Sequence, residues 1–119
     1  MSNSLDSIFA ALGDPTRRAV LAALAEGSRP VQALAEPHDM ALPSFLRHIE
    51  VLEAAGLVAT QKQGRQRMVA LKPSALGVIG GWLEDQAAGW DGHLARLEAE
   101  ARRFELAGRA DKRSQTADQ

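Results

Sequence analysis

Apolar residues recur at intervals of three and four along the first part of the chain, a spacing typical of amphipathic helices. A first helix is predicted over residues 4–12, because the apolar pattern stops at Gly13. A second helix is predicted from Pro15 to about Glu26, since Asp14 suits its N-terminal cap and proline in a first turn loses no hydrogen bond. The apolar positions that indicate these helices are Leu5, Ile8, Phe9, Leu12, Val20, Leu21 and Leu24.

Two further helices, joined by a short turn, make a helix-turn-helix pattern. The third is predicted around residues 30–35 with Ser28 as its cap, and the fourth from about 42 to 55, ending at Gly56. The buried stripe of the fourth helix, at positions i, i+4 and i+7, consists of Phe45, Ile49 and Leu52.

Residues 57–72, "LVATQKQGRQRMVALK", change to a period of two. The alternation covers 57–61 and 66–71, and Gln63-Gly64 supplies a turn between them, so the segment predicts an antiparallel hairpin with one face on the core. All of its charged residues are basic: Lys62, Arg65, Arg67 and Lys72.

A long last helix is predicted from Ser74 to about Glu105. Its apolar spacing persists over four heptads, which suggests a seam with a second chain, while glycines allow a kink or break near 89–92. Residues 106–119 are polar and aperiodic, and are predicted to be a disordered tail. The whole pattern predicts one mainly α domain, residues 1–105, with a small β-hairpin.

Composition supports a small globular protein. The 119 residues fit one domain, with 45% hydrophobic and 24% charged residues. No cysteine is present, which excludes disulfides and thiolate chemistry, and neither a signal peptide nor a membrane span is recognisable. We expect a cytoplasmic protein that does not contact the membrane.

The net charge of -1 hides an uneven distribution. Residues 41–72 hold five basic and two acidic residues, whereas 73–105 hold three basic and six acidic ones. The basic segment favours local contact with a polyanion, while the acidic segment limits non-specific binding.

Three segments carry a resemblance to a known family: FAALGDPTRRAVLAAL (9–24), LAEPHDMALPSFLRHIEVLEAAGLV (34–58) and GRQRMVAL (64–71). Together they resemble the ArsR/SmtB-type transcriptional repressors, in particular the metal-independent members, over roughly residues 5–105. The resemblance implies a winged helix-turn-helix, with the fourth helix in the DNA major groove and the hairpin as wing. It also implies a homodimer formed by the first and last helices, with an interface that includes Leu5, Ile8, Phe9, Leu83, Trp90, Leu94 and Leu97.

The exposed face of the fourth helix is the predicted reading surface. Arg47 suits a guanine edge or a phosphate, and Glu50 suits cytosine or orients Arg47, although a merely solvated face has the same composition. His48 is expected to be a structural histidine or a phosphate contact. The predicted DNA-binding residues of this helix are Pro43, Ser44, Leu46, Arg47, His48 and Glu50.

The hairpin and three arginines elsewhere are the predicted backbone contacts. The wing set is Lys62, Gln63, Gly64, Arg65, Gln66 and Arg67, for which the alternative is a charged hairpin that only protects its own edge. The candidate phosphate contacts are Arg17, Arg18 and Arg29. Arg17 and Arg18 begin the second helix, where a positive charge needs an anion nearby, either Asp14 or a DNA phosphate.

Two positions depart from the family pattern. Ala41 stands where relatives usually have Ser or Thr, so the fourth helix lacks a cap worth about 1 kcal/mol unless Asp39 or a phosphate substitutes. Leu46 stands where a small polar residue is common, and it suits a thymine methyl group instead.

No metal or cofactor site is predicted. Asp91 and His93 match the first half of the family's last-helix zinc site, but the second half falls on Phe104 and Ala107, which cannot be ligands. Trp82 and Trp90 are expected to pack in the core or interface, with a ligand pocket beside them as the alternative.

These features predict a sequence-specific regulator of transcription that binds double-stranded DNA as a homodimeric repressor of a pseudo-palindromic operator. The alternative is a winged-helix module that binds another protein without contacting DNA. An enzyme is not expected, because no nucleophile with a base and no phosphate-binding glycine loop is present. The routes that stay open for the relief of repression are a small-molecule effector, a protein effector and a change in abundance.

Overall fold

The computed structural model describes the backbone of residues 4–117 and the side chains of residues 5–109. The chain forms two compact units, residues 1–81 and residues 82–119. The helices are α1 (Ser4–Leu12), α2 (Pro15–Ala23), α3 (Val31–Ala35), α4 (Leu42–Ala54), α5 (Pro73–Asp91) and α6 (Leu94–Ala117). The strands are β1 (Arg29–Pro30), β2 (Val58–Gln63) and β3 (Gln66–Leu71). The predicted mainly α winged helix-turn-helix is confirmed.

Helix α2 begins as the sequence predicts. Asp14 is its N-cap, and the carboxylate accepts a hydrogen bond of 3.1 Å from the backbone N–H of Arg17. Pro15 occupies the first turn, where its missing N–H has no cost. The helix ends at Ala23, and the rest of the predicted helix is a 3₁₀ turn over Leu24–Glu26.

The segment before α3 corrects one prediction. Ser28 does not cap the helix; instead Arg29 and Pro30 form β1, which pairs with Val69 and Met68 of β3. Pro30 is the N-cap residue of α3, without any side-chain hydrogen bond. Proline suits this place, because its extended backbone completes the strand and it needs no partner for an amide N–H.

Helix α4 ends in a Schellman motif at Gly56. The N–H of Gly56 donates to the carbonyl of Glu53 and that of Leu57 to the carbonyl of Leu52, both at 3.0 Å. Gly56 has a φ of 79°, a left-handed conformation in which a side chain is strained. Leu52 and Leu57 are both fully buried, which supplies the apolar contact typical of this motif.

The predicted hairpin is confirmed, with a third strand at its edge. Strands β2 and β3 pair antiparallel from Val58 with Leu71 to Gln63 with Gln66, so Gly64 and Arg65 form the two-residue turn. Gly64 has a φ of 64°, as such a turn requires. The sheet order is β1-β3-β2, and β1 is the strand that periodicity did not predict.

The core of the first unit gathers buried residues from its helices and from strands β2 and β3. The predicted stripe of α4 lies at its centre, with Phe45 and Leu52 at 0% exposure. The buried apolar residues are Ile8, Ala11, Val20, Leu24, Val31, Leu34, Phe45, Ile49, Leu52, Leu57, Val58, Val69 and Ala75. Burial of Ile8, at 2% exposure, corrects its assignment to an interface between chains.

The long last helix is interrupted. Helix α5 ends at Asp91 and α6 begins at Leu94, so the break lies at Gly92 and His93, at the end of the predicted weak stretch. There the N–H of His93 donates to the carbonyl of Trp90 at 2.8 Å. Glycine favours such a break because helix formation costs it the most backbone entropy.

Two predictions about the C-terminal segment are corrected. Residues 106–117 continue α6 instead of forming a disordered tail, because they contain good helix formers and no proline; residues 118 and 119 lie outside the described residues. The first compact unit ends at 81 rather than 105, and no described side chain from 82 to 109 is buried. Within the described chain, no helix is long and apolar enough to cross a membrane.

The missing cap of α4 gives a stability prediction. Ala41 has the extended backbone of an N-cap residue but no side-chain hydrogen bond, and Asp39 does not replace it. Ala41→Ser should raise the free energy of unfolding by about 0.5–1 kcal/mol, measured by urea denaturation, because a hydroxyl satisfies a first-turn N–H. Ala22→Ser, an exposed site inside α2, is the control and should bring no gain.

Candidate nucleic-acid interface

Helix α4 presents a polar face opposite its buried stripe. Pro43, Ser44, Arg47 and Glu50 are exposed, as the sequence predicts for a reading surface. Leu46 and His48 are half-buried at the borders of this face. The helix has 13 residues and is therefore about 20 Å long.

A groove runs between α4 and the hairpin. Its lining combines apolar side chains with the arginines of the wing: Pro30, Val31, Gln32, Leu42, Leu46, Arg65, Gln66 and Arg67. Leu46 packs against the core as well as lining this groove, so only part of it is available to a thymine methyl group. Leu42, in the first turn of α4, is 50% exposed and offers a second apolar contact that the sequence analysis missed.

The register of the hairpin places its charges on the face that covers the core. Val58, Thr60 and Lys62 of β2 share this face with Val69 and Arg67 of β3. Val58 and Val69 are buried, whereas Lys62 and Arg67 are exposed because the strands extend beyond the core towards the turn. Lys62 lies directly opposite Arg67, and like charges in that position repel. An anion bound between them would remove this repulsion.

Arg67 is also connected to α4. Its Nη2 donates to Thr60 Oγ1 at 3.0 Å, and that hydroxyl donates to Glu53 Oε2 at 2.8 Å. The hydroxyl proton goes to the carboxylate, which leaves the oxygen lone pairs for the arginine. Arg67 therefore makes no direct ion pair with Glu53. Glu53 and Thr60 were not among the predicted site residues, although Glu53 is one of only two acids in the basic segment.

The remaining wing residues are open to solvent. Lys62, Gln63, Gly64, Arg65 and Gln66 are all exposed. In the part of the chain that the structure describes, no acid lies within ion-pair distance of Lys62 or Arg65. The tip of the hairpin is therefore a positively charged surface without internal neutralisation.

The second-helix arginines have a partner that the sequence did not indicate. Arg17 donates to the carbonyls of Ala11 at 2.6 Å and Ala10 at 3.3 Å, and Arg18 donates to the carbonyl of Leu12 at 2.7 Å. The C-terminal carbonyls of α1, which carry the partial negative charge of the helix dipole, thus stand near both arginines in place of an anion. Arg18 is exposed, and Arg29 is exposed on β1, so these two keep side chains accessible to a phosphate.

Arg17, in α2, connects the carbonyl end of α1 to α4. Its Nη1 lies 3.0 Å from His48 Nδ1, and the same imidazole nitrogen lies 3.7 Å from Asp14 Oδ2. The backbone N–H of Arg17 lowers the pKa of Asp14 below its ordinary value, and burial opposes this shift. The charge of Arg17 adds to the lowering, as does that of His48 when its ring is protonated. Asp14 and Arg17 at the start of α2 and His48 in the middle of α4 therefore form one polar cluster, which Arg17 also connects to the C-terminal end of α1.

The predicted dimer residues fall into two groups. In the first unit, Ile8 is buried, Leu5 is half-buried and Phe9 is 40% exposed. The second unit carries the exposed ones, Leu83, Trp90, Leu94 and Leu97, each between 46% and 54% exposed. Ile8 belongs to the core because it lies on the same face of α1 as Ala11.

The potential metal ligands do not form a cluster in the described residues. Asp91 ends α5, while His93 lies in the break, where its Nδ1 is 3.2 Å from Nη2 of Arg96. Among the described side chains, no group of three or more histidine, aspartate or glutamate residues is placed to hold a metal ion.

Comparison with known proteins agrees with this geometry. The helix-turn-helix domain family matches residues 12–61. YuzN of Bacillus subtilis, an HTH-type transcriptional regulator, is 33% identical over 92 residues, which cover 71% of this chain and all of YuzN. A crystal structure of the ArsR family transcriptional regulator RHA00566 is 47% identical, with a TM-score of 0.72, over 75% of this chain and 98% of that one. The chain belongs to the ArsR family of transcriptional regulators.

Two more distant proteins extend the comparison. The transcriptional repressor SdpR of Bacillus subtilis is 27% identical over 79 residues, 66% of this chain and 88% of SdpR. A homodimeric winged helix-turn-helix DNA-binding domain of Mycobacterium bovis is 22% identical, with a TM-score of 0.58, over 75% of this chain and 82% of that one, which shows the shared fold. This ArsR family member is therefore a DNA-binding regulator by family, and its relatives are regulators rather than enzymes.

The lowered pKa of Asp14 gives a pH prediction. A carboxylate with a depressed pKa stabilises the fold above its unfolded pKa, and this contribution disappears as the pH falls through the folded value. Asp14→Ala should therefore unfold at lower urea than the wild type near pH 7, and the difference should shrink below about pH 4.

The control is Asp85→Ala, an exposed carboxylate in α5, which should not change the urea midpoint at either pH. A difference between Asp14→Ala and the wild type that stays constant down to about pH 3 would contradict the assigned role of the carboxylate.

Proposed function

We propose that this ArsR family member binds a specific pseudo-palindromic operator as a homodimer and represses transcription in the cytoplasm. The observation that carries the proposal is the juxtaposition, within one compact unit, of an open polar face on α4 and an unneutralised basic hairpin. A helix-turn-helix reads bases with the first part of its second helix and holds the backbone with neighbouring cationic groups.

Base reading is assigned to the exposed face of α4. Arg47 is the residue able to donate two hydrogen bonds to a guanine, and Glu50, one turn later, accepts from a cytosine amino group. Leu42 and the open part of Leu46 supply apolar contacts suited to thymine methyl groups. Ser44 and Pro43 complete the surface at the start of the helix.

Backbone binding is assigned to the wing. Lys62, Arg65 and Arg67 lie at the tip of the hairpin and gain from the release of counterions when they neutralise phosphates. The repulsion between Lys62 and Arg67 in the free protein adds to this gain, because a phosphate between them relieves it. Arg18 and Arg29 are secondary phosphate contacts, and Arg17 is less accessible than either because it is half-buried.

Dimerisation is assigned to the exposed apolar residues of the second unit. Leu83, Trp90, Leu94 and Leu97 are too numerous to remain in water on one stretch of a small protein without a partner. The homodimeric Mycobacterium bovis domain supports this assignment, and the repressor SdpR supports repression as the regulatory outcome.

The first functional prediction concerns the salt dependence of DNA binding. Arg65→Ala with Arg67→Ala should weaken binding to a fragment of the promoter of its own gene and to unrelated DNA alike. It should also reduce the slope of log K against log salt by about two per protomer, measured by fluorescence anisotropy. Arg47→Ala should instead cost about 1–3 kcal/mol on the promoter fragment and relax the preference for it.

Gln63→Ala is the matched control, because it changes an exposed neutral residue of the same hairpin and should leave the slope unchanged. If the wild type binds the promoter fragment no better than an acidic control domain does at low salt, the chain is a protein-interaction module instead.

A second functional prediction tests the dimer. Leu97→Glu should shift the protein towards the monomer in analytical ultracentrifugation, because it places a charge in the apolar interface. Leu106→Glu is the control: Leu106 is also exposed on α6, but nine residues further on and so about half a turn away around the helix. Equal behaviour of both variants would remove α6 from the proposed interface.

A further inference from the structure

The guanidinium of Arg17 directs each of its three nitrogens to a different acceptor. Nε donates to the carbonyl of Ala11, Nη2 to the carbonyl of Ala10, and Nη1 faces Nδ1 of His48 at 3.0 Å. The planar guanidinium is held by two carbonyls at the end of α1, so its third nitrogen has a fixed direction. The guanidinium of Arg17 is therefore fixed in position by contacts with both α1 and α4.

This contact determines the protonation of the His48 ring. Arginine only donates hydrogen bonds, so Nδ1 must accept and cannot carry a proton. The competing arrangement would have Nδ1 donate to Asp14, but their separation of 3.7 Å is too long for a hydrogen bond. In the neutral imidazole of His48, the single proton therefore lies on Nε2.

The other ring nitrogen has no partner among the residues that the structure describes. No hydrogen bond from Nε2 to any residue in the described part of the chain is present, although the side chain is only 21% exposed. On α4, His48 is adjacent to Arg47 and one turn after Ser44, both on the exposed face. His48 therefore lies at the border of the proposed reading surface, and in this tautomer its N–H donor is Nε2.

We propose that the Nε2–H of His48 donates a hydrogen bond to a DNA phosphate and that Arg17 is a positioning residue that fixes the ring for this contact. The inference rests on the proposed DNA-binding function and assigns Arg17 a task other than direct phosphate contact. It also connects the end of α1 to the reading helix through one side chain.

The tautomer is tested first, on the full-length wild type without DNA. Long-range ¹H–¹⁵N correlation spectra in alkaline buffer distinguish a protonated Nε2 from a protonated Nδ1. We expect His48 in the Nε2–H form. We expect Arg17→Lys to produce a mixture of tautomers, because the single ammonium nitrogen does not reproduce the three separate donor positions of the planar guanidinium. A wild-type Nδ1–H form, or an unchanged spectrum in Arg17→Lys, overturns the positioning role.

The phosphate contact is tested with His48→Asn, whose Oδ1 keeps an acceptor near Arg17 but which lacks a donor at the position of Nε2. Affinity for the promoter fragment should fall about threefold to tenfold per protomer, the effect of one lost hydrogen bond. The slope of log K against log salt should stay unchanged, because a neutral donor releases no counterion. His93→Asn is the matched control, since His93 also faces an arginine but lies outside the reading surface.

The outcomes separate the two proposals. If the wild type binds no DNA, the proposed function fails, while the spectra still decide the tautomer. If the wild type binds but His48→Asn binds equally well, the phosphate contact is wrong. A slope reduced by about one per protomer would show a cationic ring on the DNA and would also overturn the proposal.

Discussion

The structure depends above all on the burial of one stripe of α4. Phe45 and Leu52 are inaccessible to solvent, and Ile49 lies between them. Truncation of a buried phenylalanine or leucine to alanine costs about 2–5 kcal/mol, a large part of the 5–15 kcal/mol that stabilises a typical domain. Because one helix face is fixed in the core, the opposite face with Arg47 and Glu50 is fixed towards solvent. The direction of the proposed reading surface and the stability of the unit therefore both depend on the burial of this stripe.

The wing follows from the same principle applied to strands. One face of the hairpin begins in the core with Val58 and Val69 and continues past its border with Lys62 and Arg67. Nothing in the local backbone changes along this face; only the surroundings change from protein to solvent. The short sheet therefore fixes the direction of the charges, and the Glu53–Thr60–Arg67 hydrogen bonds connect them to the reading helix.

Much of this arrangement could be predicted from the sequence. The helices from α1 to α4 and the hairpin have strong periodicities of 3.6 and 2, which report which side of an element is buried. Strand β1 could not be found in this way, because two residues carry no period and their pairing with β3 is a tertiary contact. The contacts of Arg17 and Arg18 with the α1 carbonyls could not be predicted either, because α1 and α2 must pack together before the arginines reach these carbonyls. Helix α6 was missed for another reason: polar residues with good helix propensity resemble a disordered tail.

The end of α4 has a consequence for how such a regulator can change over evolution. Gly56 and Leu57 end the helix, and β2 begins at the next residue, Val58. The carbonyl of Leu57 also accepts a hydrogen bond from the N–H of Lys72. An insertion or deletion of one residue here would exchange the two faces of β2 and move Lys62 to the opposite face of the hairpin. The number of residues between helix and wing is thus constrained together with the identities of Gly56 and Leu57, so new operator preferences are expected to arise by substitution on α4 and not by changes in length at this junction.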